Sequence, residues 1–182
     1  MKLADDITVI IEGEAITLRP SLAYAIRLER RPGSFQKLIR DVLDGSLTAA
    51  CDIIRDHAPH PWLETRVLDV LDDLSAPLLE YISACMGIDP DAPKTKGKAT
   101  TVTFAEHLTD LYRIGTGWLG WTPADTLDAT PAEIMEAYRG RMDMLKAIFG
   151  GSESRKTDTR PFTDANVVSA FRTTFGAVRE GM

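Results

Sequence analysis

Histidine and cysteine are scarce in this chain, three and two in 182 residues, and that scarcity removes most metal and thiol chemistry. His57 and His60 flank Pro59, with Asp52, Asp56 and Glu64 nearby. A zinc site would need these groups on one face, but the proline breaks the helix between the two imidazoles and no further His or Cys stands at ligand spacing. A solvated turn between helices is the expectation there. His107 follows Glu106 on a helical stretch and is expected at the surface. Cys51 and Cys85 fall on apolar helical positions, the pattern of buried, reduced side chains. Phosphate loop, dinucleotide fingerprint, nucleophile elbow and paired-metal signature are all missing. Asp72 and Asp73 are adjacent in sequence, so on a helix they diverge and cannot share a proton or a metal. No catalytic, cofactor or metal residues are therefore expected, and the chain reads as nonenzymatic.

Long apolar runs are also lacking, so no membrane span is expected, and the opening Met1–Asp6, with two aspartates, does not read as a signal peptide. Cytoplasmic residence is the expectation. Positive charge is in deficit too: the net charge of -6 works against a phosphate-neutralising face. Two short helices around Gly45, within Ser34 to His57, suggest a helix-turn-helix. The second helix, however, begins Leu47-Thr48-Ala49-Ala50-Cys51-Asp52 and carries Arg55 as its only basic residue, a poor set for reading bases. Nucleic acid is not an expected partner.

What is present is 44% hydrophobic and 26% charged residues, the balance of a globular chain. Ile7, Val9 and Ile11 alternate with Thr8, Ile10 and Glu12 up to Gly13, and Ile16 and Leu18 follow, which predicts a β-hairpin. Ser21 can cap a helix through Leu22, Ala25, Ile26 and Leu28 that stops at Pro32-Gly33. Ser34 opens a second with Phe35, Leu38, Ile39, Val42 and Leu43 in one stripe, closed by Gly45. A third starts near Ser46 with Leu47, Ala50, Cys51 and Ile54 inward. After Pro59 and Pro61, apolar residues from Leu63 to Cys85 recur at helical spacing. Pro77 is expected to kink or split that helix, with Ser75 capping the second piece. A lone hairpin is marginal in water, so this one must lie on the helices.

Between Ile88 and Thr103 the chain turns to Asp, Pro, Lys, Thr and Gly, with Lys94, Lys96 and Lys98 around Gly97, the composition of a linker. Phe104, Leu108, Leu111, Tyr112, Trp118 and Leu119 then form a helical stripe that Gly115, Gly117 and Gly120 weaken. Thr122 and Thr130 are each followed by Pro, Ala and an acidic residue, Asp125 or Glu133, which writes two successive helix starts. The second helix continues through Ile134, Tyr138, Met142, Leu145 and Phe149 to Gly150-Gly151. A polar link from Ser152 to Thr159 precedes an amphipathic segment from about Thr163 to Val178.

The reading is thus a mainly α protein: an N-terminal β-hairpin packed on a helical bundle (1–88), a linker (89–103), a smaller helical module (104–151), and a polar link with an amphipathic tail (152–182). Candidate partner-binding residues are Trp118 and Trp121 beside the glycines, the aromatic tail residues Phe162, Phe171 and Phe175, and Lys94, Lys96 and Lys98. Trp118 and Trp121 suit either core packing or a partner patch, and Trp121 can also serve as a hydrophobic staple for the Thr122 helix. The tail can occupy a groove of another protein or fold back on its own chain.

The hairpin Ile7 to Leu18, followed by Leu22-Ala23-Tyr24-Ala25-Ile26-Arg27-Leu28-Glu29 and Ser34-Phe35-Gln36-Lys37-Leu38, resembles the tail assembly chaperones of siphophages and gene-transfer agents. Leu119-Gly120-Trp121-Thr122-Pro123 through Thr130-Pro131-Ala132-Glu133-Ile134 is similar to the second, shorter chaperone module of those systems. Where that module often has an aromatic before its Thr-Pro-x-Glu helix, this chain has Leu127-Asp128-Ala129. The resemblance implies a nonenzymatic assembly factor in the bacterial host cytoplasm. Such a factor keeps the tape-measure protein soluble, helps recruit tail-tube subunits and is absent from the finished particle. It implies the N-terminal module on tube subunits and the C-terminal one on the tape measure; self-association is compatible with it. Two other readings stand beside it: a structural tail component retained in the virion, its hairpin extending a neighbouring sheet, and a small DNA-binding regulator.

Overall fold

Alternation of Ile7, Val9 and Ile11 puts one side of a strand against apolar neighbours, and the computed structural model, which describes residues 6–88 and 103–149, has these three buried. Strand β1 (Ile7–Ile11) pairs antiparallel with β2 (Glu14–Leu18), in the register Ile7 to Leu18 and Val9 to Ile16. The turn runs through Glu12 and Gly13 at φ 51° and 81°. Positive φ at both central positions gives the mirror-image turn whose twist matches the strands, and glycine supplies it without strain. Ile16 and Leu18 complete the buried face, while Ile10 points the other way and is exposed.

Helix α1 (Leu22–Glu29) starts where the Ser21 hydroxyl accepts the Tyr24 N–H, and α3 (Leu47–Ile54) where Ser46 accepts that of Ala49. Between them α2 (Ser34–Leu43) buries Phe35, Leu38, Ile39 and Val42. Leu43, expected in that stripe, is half exposed; it stands about a quarter-turn off the centre of the buried arc. Helix α3 buries five of its eight residues, Ala49, Ala50, Cys51, Ile53 and Ile54, and so lies between other elements.

The apolar run after Pro61 is divided, but not at its proline. Helix α4 (Leu63–Leu68) and α5 (Leu71–Cys85) are separated at Asp69 and Val70, Pro77 lies inside α5, and the position before α5 is Val70 rather than Ser75. Dividing the run here lets α4 cover α3 while α5 crosses β1, α2 and α3. A proline within α5 forfeits one backbone hydrogen bond, which burial of Leu74, Leu78, Tyr81, Ile82 and Cys85 offsets.

Helix α6 (Phe104–Arg113) begins in a full capping box, Thr103 with Glu106, whose hydrogen bonds hold the Glu106 carboxyl below its ordinary pKa. Residues 114–118 form a π turn, and α7 (Pro123–Asp128) and α8 (Pro131–Phe149) follow. Leu108, Leu111, Ile114, Ala129 and Ile134 belong to the same buried cluster as Leu22, Ala25 and Leu28; α6 and α7 are built onto α1, and α8 packs on α6 and α5. His107, expected at the surface, is buried. It shares an arc with Leu108 and Leu111 and faces Gly87, where an added Cβ would stand 3.4 Å from its Nε2.

Candidate functional site

Among the described residues, the contacts that anchor helix α8 gather at its N-terminal end. Thr130 and Glu133 complete the reciprocal cap the sequence predicts: the Glu133 N–H donates to Thr130 Oγ1 at 3.1 Å, and the Thr130 N–H donates to Glu133 Oε2 at 2.7 Å. Thr122 caps α7 by accepting the Asp125 N–H at 3.1 Å, while its own hydroxyl donates to Asp125 Oδ2 at 2.6 Å. Arg19, at the end of β2, reaches both the Asp128 carbonyl at 3.4 Å and the Glu133 carboxylate at 3.4 Å. The Leu22 N–H donates to the Ala129 carbonyl at 2.8 Å. The α7–α8 junction is thereby tied to the hairpin and to α1, and Ile134 is fully buried beneath it.

Further along α8 the support ends. Met135 and Tyr138 still pack on the core, whereas among the described residues Met142, Met144, Leu145, Ile148 and Phe149 do not. Phe149 is 78% exposed and Ile148 61%. Tyr138, Met142, Leu145 and Phe149 follow one another at intervals of four, three and four, so they form one row along the helix.

Trp118 joins that row at its base, and a backbone irregularity puts it there. The π turn is closed by the Leu119 N–H donating to the Ile114 carbonyl at 3.0 Å, and the extra residue per turn re-aims the side chains after it. Ile114 stays buried, while Trp118, placed by the spacing in the stripe with Leu108 and Leu111, is 55% exposed. Its ring stands edge-on to Tyr138 with centroids 6.1 Å apart. Gly115 lets α7 pack against the turn: a Cβ there would lie 2.4 Å from Thr126 Cγ2. Trp121 is partly buried against the core, and its N–H donates to the Gly115 carbonyl at 3.0 Å. The two tryptophans thus part company, Trp121 inward and Trp118 outward.

The titratable side chains that burial perturbs most lie elsewhere and hold the fold. His57 Nε2 and the Tyr81 hydroxyl are 2.9 Å apart, with the Tyr24 ring 4.5 Å from the imidazole. Burial, with a smaller contribution from the Arg27 charge, lowers the His57 pKa to about 4. Tyr81 is raised by burial, and Cys85 is pushed up to about 12 for the same reason. Burial also raises the Cys51 thiol, and both cysteines are free. These neutral groups close a polar seam between α1, α3 and α5, flanked by the Arg27–Asp56 and Arg31–Asp52 ion pairs. Arg66 ties α4 to the hairpin through Glu12 at 2.6 Å and Glu14 at 3.0 Å.

Trp62 is an exposed aromatic that the sequence reading passed over. It is 79% exposed and held at φ 66° immediately before α4. The signal was its place after Pro61, where a large apolar residue has no helical stripe to join. Lys94, Lys96, Lys98, Phe162, Phe171 and Phe175 lie outside the described residues. Among the described residues no group of three or more His, Cys, Asp or Glu could hold a metal ion, and no helix is long and apolar enough to cross a membrane. Comparison with protein-family models, with curated proteins and with solved structures finds no match.

Proposed function

We propose that this chain is a nonenzymatic, phage-type tail assembly chaperone that binds the tape-measure protein, and that the row from Trp118 along α8 to Phe149 is its docking surface. The apolar half of α8 that is not packed on the described core, ending in exposed Ile148 and Phe149, carries this reading. A helix with an open apolar row is the shape by which one protein grips an amphipathic helix of another, with anchors one helical turn apart. Trp118 supplies a large aromatic anchor at the base of the row. The resemblance of Leu119–Ile134 to the shorter chaperone module falls on the segment that builds this base, and the net charge of -6 suits a protein that exchanges protein partners. Recruitment of tail-tube subunits belongs to the N-terminal part in this reading, and the host cytoplasm is the place of action.

Co-expression with a tape-measure protein of the same tail system tests the proposal. The full chain is expected to hold the tape measure in the soluble fraction and to co-purify with it. A tape measure equally insoluble with and without the chain would overturn the reading. A tail component retained in the particle is the second reading, favoured by a hairpin whose strands pair only with each other among the described residues and which exposes Ile10. Mass spectrometry of purified particles separates the two, since the chaperone is expected to be absent.

A further inference from the structure

Trp62 is the most exposed large apolar side chain among the described residues, 79% in solvent, and it packs neither within the core nor against it. Its backbone is nevertheless held at φ 66°, in the left-handed region where a side chain is strained and glycine is not. Strain kept at an aromatic that the fold does not bury points to a use outside the fold. Leu68, 57% exposed, stands about 9 Å further along α4. Leu63 and Val67 turn toward the core, so Trp62, Thr65, Leu68 and Asp69 make up the outer side of this helix.

Charge says what this side takes. From Trp62 to Leu79, Arg66 is the only Lys or Arg, against Glu64, Asp69, Asp72 and Asp73. Arg66 is spent on Glu12 and Glu14 of the hairpin, and Glu64 is paired with Arg55. Asp69, Asp72 and Asp73 are exposed and have no ion-pair partner among the described residues. The N-terminus of α5 favours Asp72 and Asp73, but Asp69 closes the C-terminal end of α4, where the helix dipole disfavours a carboxylate. An aromatic and an aliphatic anchor among unpaired carboxylates complement a segment that carries apolar side chains among Lys and Arg. The same carboxylates repel nucleic acid, and they repel a second copy of a chain whose net charge is -6.

We infer that Trp62 and Leu68, with Asp69 and Asp72 beside them, form a docking surface on α4 that takes a basic amphipathic segment of another protein. The probe is a short labelled peptide of Leu and Lys in helical register, titrated into the full chain by fluorescence anisotropy, with a version carrying Glu in place of Lys as the control. No tape-measure protein is present, so the outcome is independent of the chaperone reading. The basic peptide is expected to bind Trp62→Gly at least tenfold more weakly than the wild type, while that variant melts no lower, because glycine relieves the backbone. Asp69→Lys/Asp72→Lys is expected to weaken the same peptide at least tenfold and to flatten its dependence on salt. Trp118→Ala, in the row on α8, is expected to leave binding unchanged. Undiminished binding by Trp62→Gly, equal binding of the acidic peptide, or an equal loss in Trp118→Ala would overturn the inference. So would a lower melting temperature in Trp62→Gly, which would return the side chain to the fold. Self-association of the wild type that Trp62→Gly abolishes would overturn it too, because the occupant would then be a second copy.

Discussion

The two halves of α8 are one helix with opposite surroundings. In the first, a capping box, the Arg19 side chain and burial of Ile134 hold the backbone against α1 and the hairpin; in the second, Met144, Ile148 and Phe149 are exposed, and with half-buried Met142 and Leu145 they are not packed on the described core. The difference teaches that the stripe has two jobs. Up to Tyr138 its apolar residues build the fold, and beyond it the same periodicity builds a surface.

The largest effect should separate the halves directly. Ile134→Ala is expected to lower global stability by about 2–4 kcal/mol in urea unfolding, since the cavity forms in a tied core. Ile148→Ser in the outer half should stay within about 0.5 kcal/mol. Equal losses would mean that the outer half belongs to the cooperative core.

A second experiment addresses the polar seam, which should respond to pH while the outer row does not. His57 has its pKa lowered from 6.5 to about 4 in the folded protein, so the unfolded chain binds the proton first as pH falls. Stability from this group is complete above pH 6.5, declines between 6.5 and about 4, and is then exhausted. The expected loss over that window is on the order of 3 kcal/mol. In His57→Gln, stability against pH should lose this slope; an unchanged slope would assign the pH dependence to other groups.

The junction beneath Trp118 comes next. Gly115→Ala is expected to cost about 1–3 kcal/mol, because the new methyl group meets buried Thr126. Gly117→Ala, with nothing within 4 Å of its Cβ position, should be neutral or slightly stabilising. Combining Gly115→Ala with Thr126→Ala should recover part of the loss, and strict additivity in thermal unfolding would refute the close contact. The smallest effect is expected from Thr130→Ala, about 1 kcal/mol, from loss of the cap on α8.

Much of the fold was legible in the residues because its signals are local. The caps at Ser21, Ser46, Thr122 and Thr130, the turn at Gly13 and the stripe of α2 depend on neighbours a few positions away. Features set by distant contacts were not. The division at Asp69 and Val70 follows from what α4 and α5 each cover, and no local breaker marks it. His107 is polar by type but sits on the arc that faces α1 and Gly87. For the candidate site, Trp118 was singled out and the row through Phe149 was visible as a periodicity. The point where that row leaves the core depends on the π turn and on how far α5 and α6 extend beneath it. Trp62 gave no periodic signal because it belongs to no helix.

We propose that the outer row of α8 grips another protein. The most direct measurement compares capture of the co-expressed tape-measure protein by the full chain and by Trp118→Ala/Met142→Asp, with folding checked by thermal melting. Capture is expected to fall at least tenfold in the variant, with the melting transition retained. Undiminished capture by the folded variant would contradict it.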